Sequence, residues 1–287
     1  MTHPSRVVAF QGVHGAYSEQ ACRERLFDYQ TLPCKTFEDL FVMVEEGHAH
    51  LGMVPVENSM AGVVSDSYDL LAVHNLSIVG EHYVKVRHCL MAHQGVTMAQ
   101  LKTVYSHPQA LAQCNSFLKE RGLGRMAVYD TAGAAASLAD EGREGDAAIA
   151  SELAAELYGL DVLARNIQDS RNNTTRFLII AKDAVVPPPE AQCKTSLLFE
   201  VRNIPAALYK CLGGFATNGI NLTRLESRPV PGRDWCYHFY LDLQGRVDDK
   251  PVQMALDELN YFTDSLKVLG CYSESKRPQL QQPEPEA

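Results

Sequence analysis

At 287 residues the chain is long for one compact core and sufficient for two domains. Hydrophobic residues make up 46% and charged residues 21%, which excludes a disordered or fibrous protein and allows a core without disulfide or metal staples. A net charge of −9 argues against a nucleic-acid partner, and it requires any cleft for an anion to carry its own local positive groups.

Arg6–Phe10 reads as a strand, with Ser18 capping a helix that reaches about Phe27. Thr36 caps the next helix, whose Phe37, Leu40, Phe41 and Val44 fall on one face before Gly47 ends it. Leu51–Val56 is a buried strand, followed by a helix over 63–73 and strand material over 76–92. Thr103–Ser106 is a strand, and Pro108 sits at the first position of a helix with Leu111, Cys114, Phe117 and Leu118 on one face. Met126–Tyr129, an alanine-rich helix over 131–141, Ala147–Ala150 and a Ser151-capped helix repeat the theme. Such alternation predicts an α/β domain with mainly parallel sheets. Val185–Glu190 contains three consecutive prolines and reads as a stiff linker within 183–193. Beyond it, strand 194–201, helix 205–217, strands 222–230 and 235–243, helix 250–264 and strand 267–272 give the ferredoxin-like β-α-β-β-α-β order. The polar stretch 273–287 reads as a disordered tail.

The eight cysteines are at least 12 residues apart and form no C-x-x-C motif, so they read as reduced core residues of a cytoplasmic protein. The start shows no signal peptide, and apolar runs of at most five residues predict no membrane span.

Four segments carry polar residues where strands meet helices. Gln11–Glu19, with Gly12 and Gly15, lacks the G-x-G-x-x-G spacing and is either an anion-facing loop or a tight turn. Glu57, Asn58 and Ser59 follow a buried strand, where open α/β sheets place ligands, though a capped loop has the same composition. Ser106 and His107 stand at an equivalent strand end, and His107 is either a helix cap or an acid. Asn172–Phe177 sets Asn173, Thr175 and Arg176 at the start of a strongly apolar strand. The guanidinium there either reaches to solvent or binds a carboxylate.

Taken together, Gly12-x-x-Gly15-Ala-Tyr-Ser-Glu19, Val54–Ser59, Ser106–Ala110, Ala148–Ser151, Asn166–Asp169 and Thr175-Arg-Phe177 resemble the prephenate dehydratase family over residues 6–272. The resemblance implies a catalytic domain over 1–182, two-lobed like a type 2 periplasmic binding protein. Lobe one spans about 1–80 plus 165–182 and lobe two about 81–164. Residues 194–272 resemble an ACT regulatory domain. The implied reaction removes water and carbon dioxide from prephenate to give phenylpyruvate, without metal or organic cofactor.

Thr175 is then the donor that helps the ring hydroxyl leave, and Arg176 holds a carboxylate. Glu57 and His107 are the candidate proton sources. Ser18, Asn58, Ser59, Ser106, Ser151, Asn173 and Phe177 are expected around the substrate, Ser18, Ser106 and Ser151 through helix-start amides. Glu226, Ser227, Arg228 and Pro229 match the family's effector signature for L-phenylalanine. Ala206, Ala207, Leu208, Asn221 and Leu222 are expected beside it, Ala206 standing where the family commonly has glycine. A homodimer or homotetramer is implied. The alternatives are an arogenate dehydratase, a prephenate decarboxylase that does not aromatise, and a binding sensor without turnover.

Overall fold

The computed structural model describes residues 6–230 and 232–278. In chain order the elements begin β1 (Val7–Gln11), α1 (Tyr17–Arg25), β2 (Gln30–Cys34), α2 (Phe37–Glu45), β3 (Leu51–Asn58), β4 (Gly62–Val63), α3 (Ser65–Val73) and β5 (Ser77–Lys85). They continue with β6 (Cys89–Ala92), β7 (Thr103–Ser106), α4 (Pro108–Gln113), α5 (Asn115–Glu120), β8 (Gly124–Ala127), α6 (Thr131–Glu141), β9 (Asp146–Ala150), α7 (Glu152–Tyr158), β10 (Asp161–Arg165) and β11 (Thr174–Ala181). The last six are β12 (Cys193–Val201), α8 (Ala207–Thr217), β13 (Leu222–Pro229), β14 (Tyr237–Gln244), α9 (Lys250–Phe262) and β15 (Thr263–Ser273).

The chain divides into two compact units, Met1–Leu70 with His82–Phe177 and Lys276–Ala287, and Leu71–Glu81 with Leu178–Ser275. They part inside β5 and β11 rather than at the proline stretch 183–193. The tail is ordered further than its composition suggests: β15 runs to Ser273, and the Ser275 hydroxyl donates to the Glu81 carbonyl at 2.6 Å. Residues 279–287 of the expected tail lie outside the described residues.

Two sheets carry the first 181 residues, ordered β2-β1-β3-β11-β5, with β4 on β3, and β10-β6-β9-β7-β8. The β1 strand is parallel to both β2 and β3, and β7 to both β8 and β9, whereas β6 runs antiparallel to β9 and β10. The chain passes between the sheets at 86–88 and again at 166–173, so the strand expected over 76–92 is two strands in two sheets.

Local chemistry explains the elements. Thr36 and Asp39 cap α2 reciprocally at 3.0 and 3.1 Å, and Leu40, Phe41 and Val44 are buried. Ser151 caps α7 through the Ala154 amide, and Gly159 ends it in the left-handed conformation. Ser18 does not cap α1. It lies within the helix, and the buried Glu19 carboxylate takes the Gly15 amide at 2.7 Å instead. Ala132, Ala135 and Leu138 of α6 pack on Met91, Ala148 and Ala150, small residues letting the helix approach the sheet closely.

In the second unit the four-stranded sheet runs β13-β14-β12-β15, with every neighbouring pair antiparallel. Helices α8 and α9 cover one face, burying Leu197, Phe199, Leu241 and Leu243 against Cys211, Phe215, Val252 and Leu259. On β13, Glu226 and Arg228 pair with Tyr240 and His238, while Ser227 pairs with Phe239. Alternation therefore puts Ser227 on the opposite face, and residues 226–229 do not present one surface.

Ala206 precedes α8 at φ +59°, a left-handed conformation that costs a residue with a Cβ about 1–2 kcal/mol. Glycine would remove that strain at some entropic cost. Ala206→Gly is expected to raise stability by about 0.5–1 kcal/mol, read as a higher urea midpoint at unchanged slope. A lower midpoint would mean that the Ala206 methyl makes a compensating contact.

Candidate active site

The site assembles where β3 ends and β11 begins. The Asn58 side-chain oxygen accepts the Met60 and Ala61 amides at 3.0 and 2.9 Å, which settles which way its amide faces. Its Nδ2 then donates to Asn173 Oδ1 and to Thr175 Oγ1, both at 2.8 Å. The Thr175 oxygen is thus held as an acceptor. Among the described residues no hydrogen-bond acceptor takes its proton, which is left for a molecule in the adjoining cavity.

A second chain of bonds orients Gln113. Its Oε1 accepts Asn173 Nδ2 and lies against His88 Nε2, both at 2.9 Å. An amide oxygen only accepts, so His88 carries its proton on Nε2, and Nδ1 faces the Tyr17 hydroxyl at 2.9 Å. Burial depresses the His88 pKa, with the Gln113 bond opposing it, and burial raises that of Tyr17, helped by Cys89 and Cys114. Both rings are therefore neutral near pH 7, and the Gln113 amide nitrogen is left as a donor. The His107 Nδ1 accepts the Gln109 amide at 3.2 Å, so its Nε2 carries the proton in the neutral ring.

These groups line a cavity of about 430 Å³, with Ala61, Val63, Val64 and Val86 supplying an apolar wall. None of its lining residues is Asp, Glu, Lys or Arg, so the cationic side chains expected in an anion cleft from the net charge are absent from it. It can hold an apolar ring against neutral hydrogen-bond donors. Among the described residues no cluster of His, Cys, Asp or Glu is placed to hold a metal ion.

The profile of the prephenate dehydratase family matches residues 8–185. The chain belongs to this family. Its membership makes it a hydro-lyase of aromatic amino acid biosynthesis. A bifunctional N-acyl-homoserine lactone acylase/prephenate dehydratase of Komagataeibacter europaeus is 46% identical over 271 residues, 94% of this chain and 96% of the relative. Arogenate dehydratase/prephenate dehydratase 2 of Arabidopsis thaliana is 44% identical, over 95% of this chain and 74% of the relative. The solved prephenate dehydratase of Arthrobacter aurescens in complex with L-Phe superposes with a TM-score of 0.87 at 31% identity, covering 96% of this chain and 93% of that one.

Within this family member, Asn58, Asn173, Thr175 and His107 meet at the cavity, but other expected residues do not. Arg176 and Glu57 face away, because neighbours along a strand point to opposite sides. With Tyr83 and Arg277 they line a separate cavity of about 240 Å³, and Arg176 is buried there. Ser59 also belongs to that second cavity. Its hydroxyl donates to the Asn172 carbonyl at 2.8 Å and accepts the Thr174 amide at 3.0 Å. Phe177 is packed interior, and Ser18 is buried within α1. Neither Ser106 nor Ser151 lines the cavity: their hydroxyls donate to the Ile149 and Gly15 carbonyls, both at 2.6 Å, and the Ala154 amide at the start of α7 is taken by Ser151 itself.

Residue type alone does not single out Gln113, His88 and Tyr17. Gln109 and Gln113, four apart on a helix whose other face is apolar, were the legible signal for the first. The other two had none.

The Gly12–Gly15 segment is a packing turn rather than an anion loop. Its Gly15 amide is taken by Glu19, and a Cβ on Gly15 would lie 2.8 Å from Ala154 Cα at a backbone φ of +86°. Gly15→Ala is expected to cost about 2–4 kcal/mol, combining overpacking with left-handed strain. Thermal unfolding of the variant checks this. An unchanged midpoint would refute the close fit.

Proposed function

We propose that the chain converts prephenate to phenylpyruvate in the cavity around Thr175. The observation that carries this reading is the Asn58–Thr175 bond, which leaves the threonine proton as a ready donor. In the reaction the ring-carboxylate C–C bond breaks, the carboxylate leaves as carbon dioxide and the bond's electron pair enters the ring. The para C–O bond then breaks, and the oxygen leaves with its own hydrogen and one added proton as water. Thr175 stabilises the charge growing on that oxygen without transferring its own proton, since a threonine hydroxyl is far too weak an acid. With Glu57 in another cavity, His107 is the candidate proton source.

Neutral donors, rather than the guanidinium of Arg176, hold the two carboxylates. Gln113 and His107 supply side-chain N–H groups, and Thr131 supplies a hydroxyl, the start of α6 itself being capped by the Asp130 carboxylate. The lining favours prephenate over arogenate, because an ammonium group would meet no carboxylate there. Kinetics on both substrates test this choice: kcat/KM is expected to be at least tenfold higher for prephenate, with phenylpyruvate detected by its ultraviolet absorbance. A preference for arogenate would reverse the assignment, turnover without aromatic product would mark a decarboxylase, and no turnover of either would mark a sensor.

The second unit we read as an ACT regulatory domain binding L-phenylalanine near Ala206–Leu208 and β13. The β-α-β-β-α-β order and the L-Phe complex of the Arthrobacter aurescens relative support this reading. Edge strand β13 offers backbone groups to a second copy, which supports a homodimer or homotetramer. Turnover against rising L-phenylalanine is expected to change several-fold. A flat response would remove the effector assignment and leave the catalytic one intact.

A further inference from the structure

A second charged pocket lies on the other side of the chain from the catalytic cavity. Along residues 85–88, Val86 and His88 line the catalytic cavity, whereas Lys85 and Arg87 line a pocket of about 280 Å³ with Asn166, Gln168 and Arg171. We propose that this pocket is an anion site, taking a small molecule that bears a phosphate or two carboxylates.

Three cations and no acid line it, in a chain whose net charge is −9. Neither the Lys85 nor the Arg87 side chain makes an ion pair or hydrogen bond with another described residue. In the adjoining cavity Glu152 pairs with Arg165 and Glu24 with His82, each at 2.8 Å, and Glu24 feels Arg87 only through space, without a bond. The Gln168 oxygen accepts the His88 amide at 2.9 Å, so its amide nitrogen remains as a neutral donor beside the cations. Holding the Lys85 and Arg87 side chains side by side is unfavourable until an anion with several oxygens sits between them, and a guanidinium group suits such oxygens. The five residues come from both passages of the chain between the two sheets, 86–88 and 166–173 with their flanks. A bound anion would therefore tie those passages together, separately from substrate.

Calorimetric titration of the full chain with inorganic phosphate and with malonate, at constant ionic strength set by sodium chloride, tests the site. One saturable event is expected, weakened at least tenfold in Lys85→Gln/Arg87→Gln and unchanged in Thr175→Ala. Binding of phosphate alone identifies a phosphate-bearing ligand, and binding of malonate alone a dicarboxylate. Arg87→Gln alone, expected to weaken binding several-fold, serves if circular dichroism shows the double variant to be misfolded. No saturable binding, equal affinity in the charge variants, or loss in Thr175→Ala with retention in the charge variants overturns the proposal.

Discussion

Thr175→Ala is expected to lower kcat about 10²–10³-fold with KM little changed, because the lost hydrogen bond strengthens only as the leaving oxygen gains charge. Thr175→Ser keeps the hydroxyl but loses the methyl that limits its rotation, so a loss within about tenfold is expected. Asn58 is the group that makes the donor ready, by occupying the threonine oxygen at 2.8 Å. Asn58→Ala should therefore lower kcat by about 10–10²-fold while Thr175 is still present, with circular dichroism confirming the fold. Steady-state turnover of prephenate measures all three. Near-normal kcat in Thr175→Ala would remove the hydroxyl from the mechanism.

A stability effect as large as that of Gly15→Ala is expected at Glu19. Its carboxylate is wholly buried and accepts from the Gly15 amide, Arg23 and Thr31 at 2.7, 2.8 and 3.0 Å, with His14 at 3.2 Å. Burial opposes its ionisation, but the Gly15, Arg23, His14 and Thr31 bonds outweigh burial and hold its pKa below the ordinary carboxylate range. Glu19→Ala leaves the Gly15 amide without a partner and is expected to cost about 3 kcal/mol. A group with a depressed pKa contributes its stability above the unfolded value of about 4.3 and loses it as pH falls through the folded value. Thermal midpoints from pH 7 to pH 3 should therefore fall for the wild type in that acid range, with a smaller fall in Glu19→Gln. Parallel curves would show that Glu19 does not carry the acid sensitivity.

Much of the architecture was legible because it is written in local pattern. The apolar spacing of Phe37–Val44, the cap at Ser151, proline at position 108 and the strand–helix alternation each act within a few residues. The β-α-β-β-α-β order after residue 193 was legible for the same reason. Thr175, Asn58, Asn173 and His107 were also visible, as polar residues at strand ends.

Which of those residues face the same cavity was decided elsewhere. Asn58 and Thr175 are 117 positions apart, and only the pairing of β3 and β11 in one sheet brings them to a 2.8 Å bond. The same alternation that turns Thr175 inward turns Arg176 out of the site, which adjacency in sequence hides. Gln113, His88 and Tyr17 meet through two helices and a crossing segment, so no window of sequence contains them together. Residue types and short-range periodicity determined the elements and the family likeness. Which polar residues share the cavity that has no Asp, Glu, Lys or Arg in its lining was decided by the tertiary fold, because only long-range strand pairing sets which side of each strand is shared.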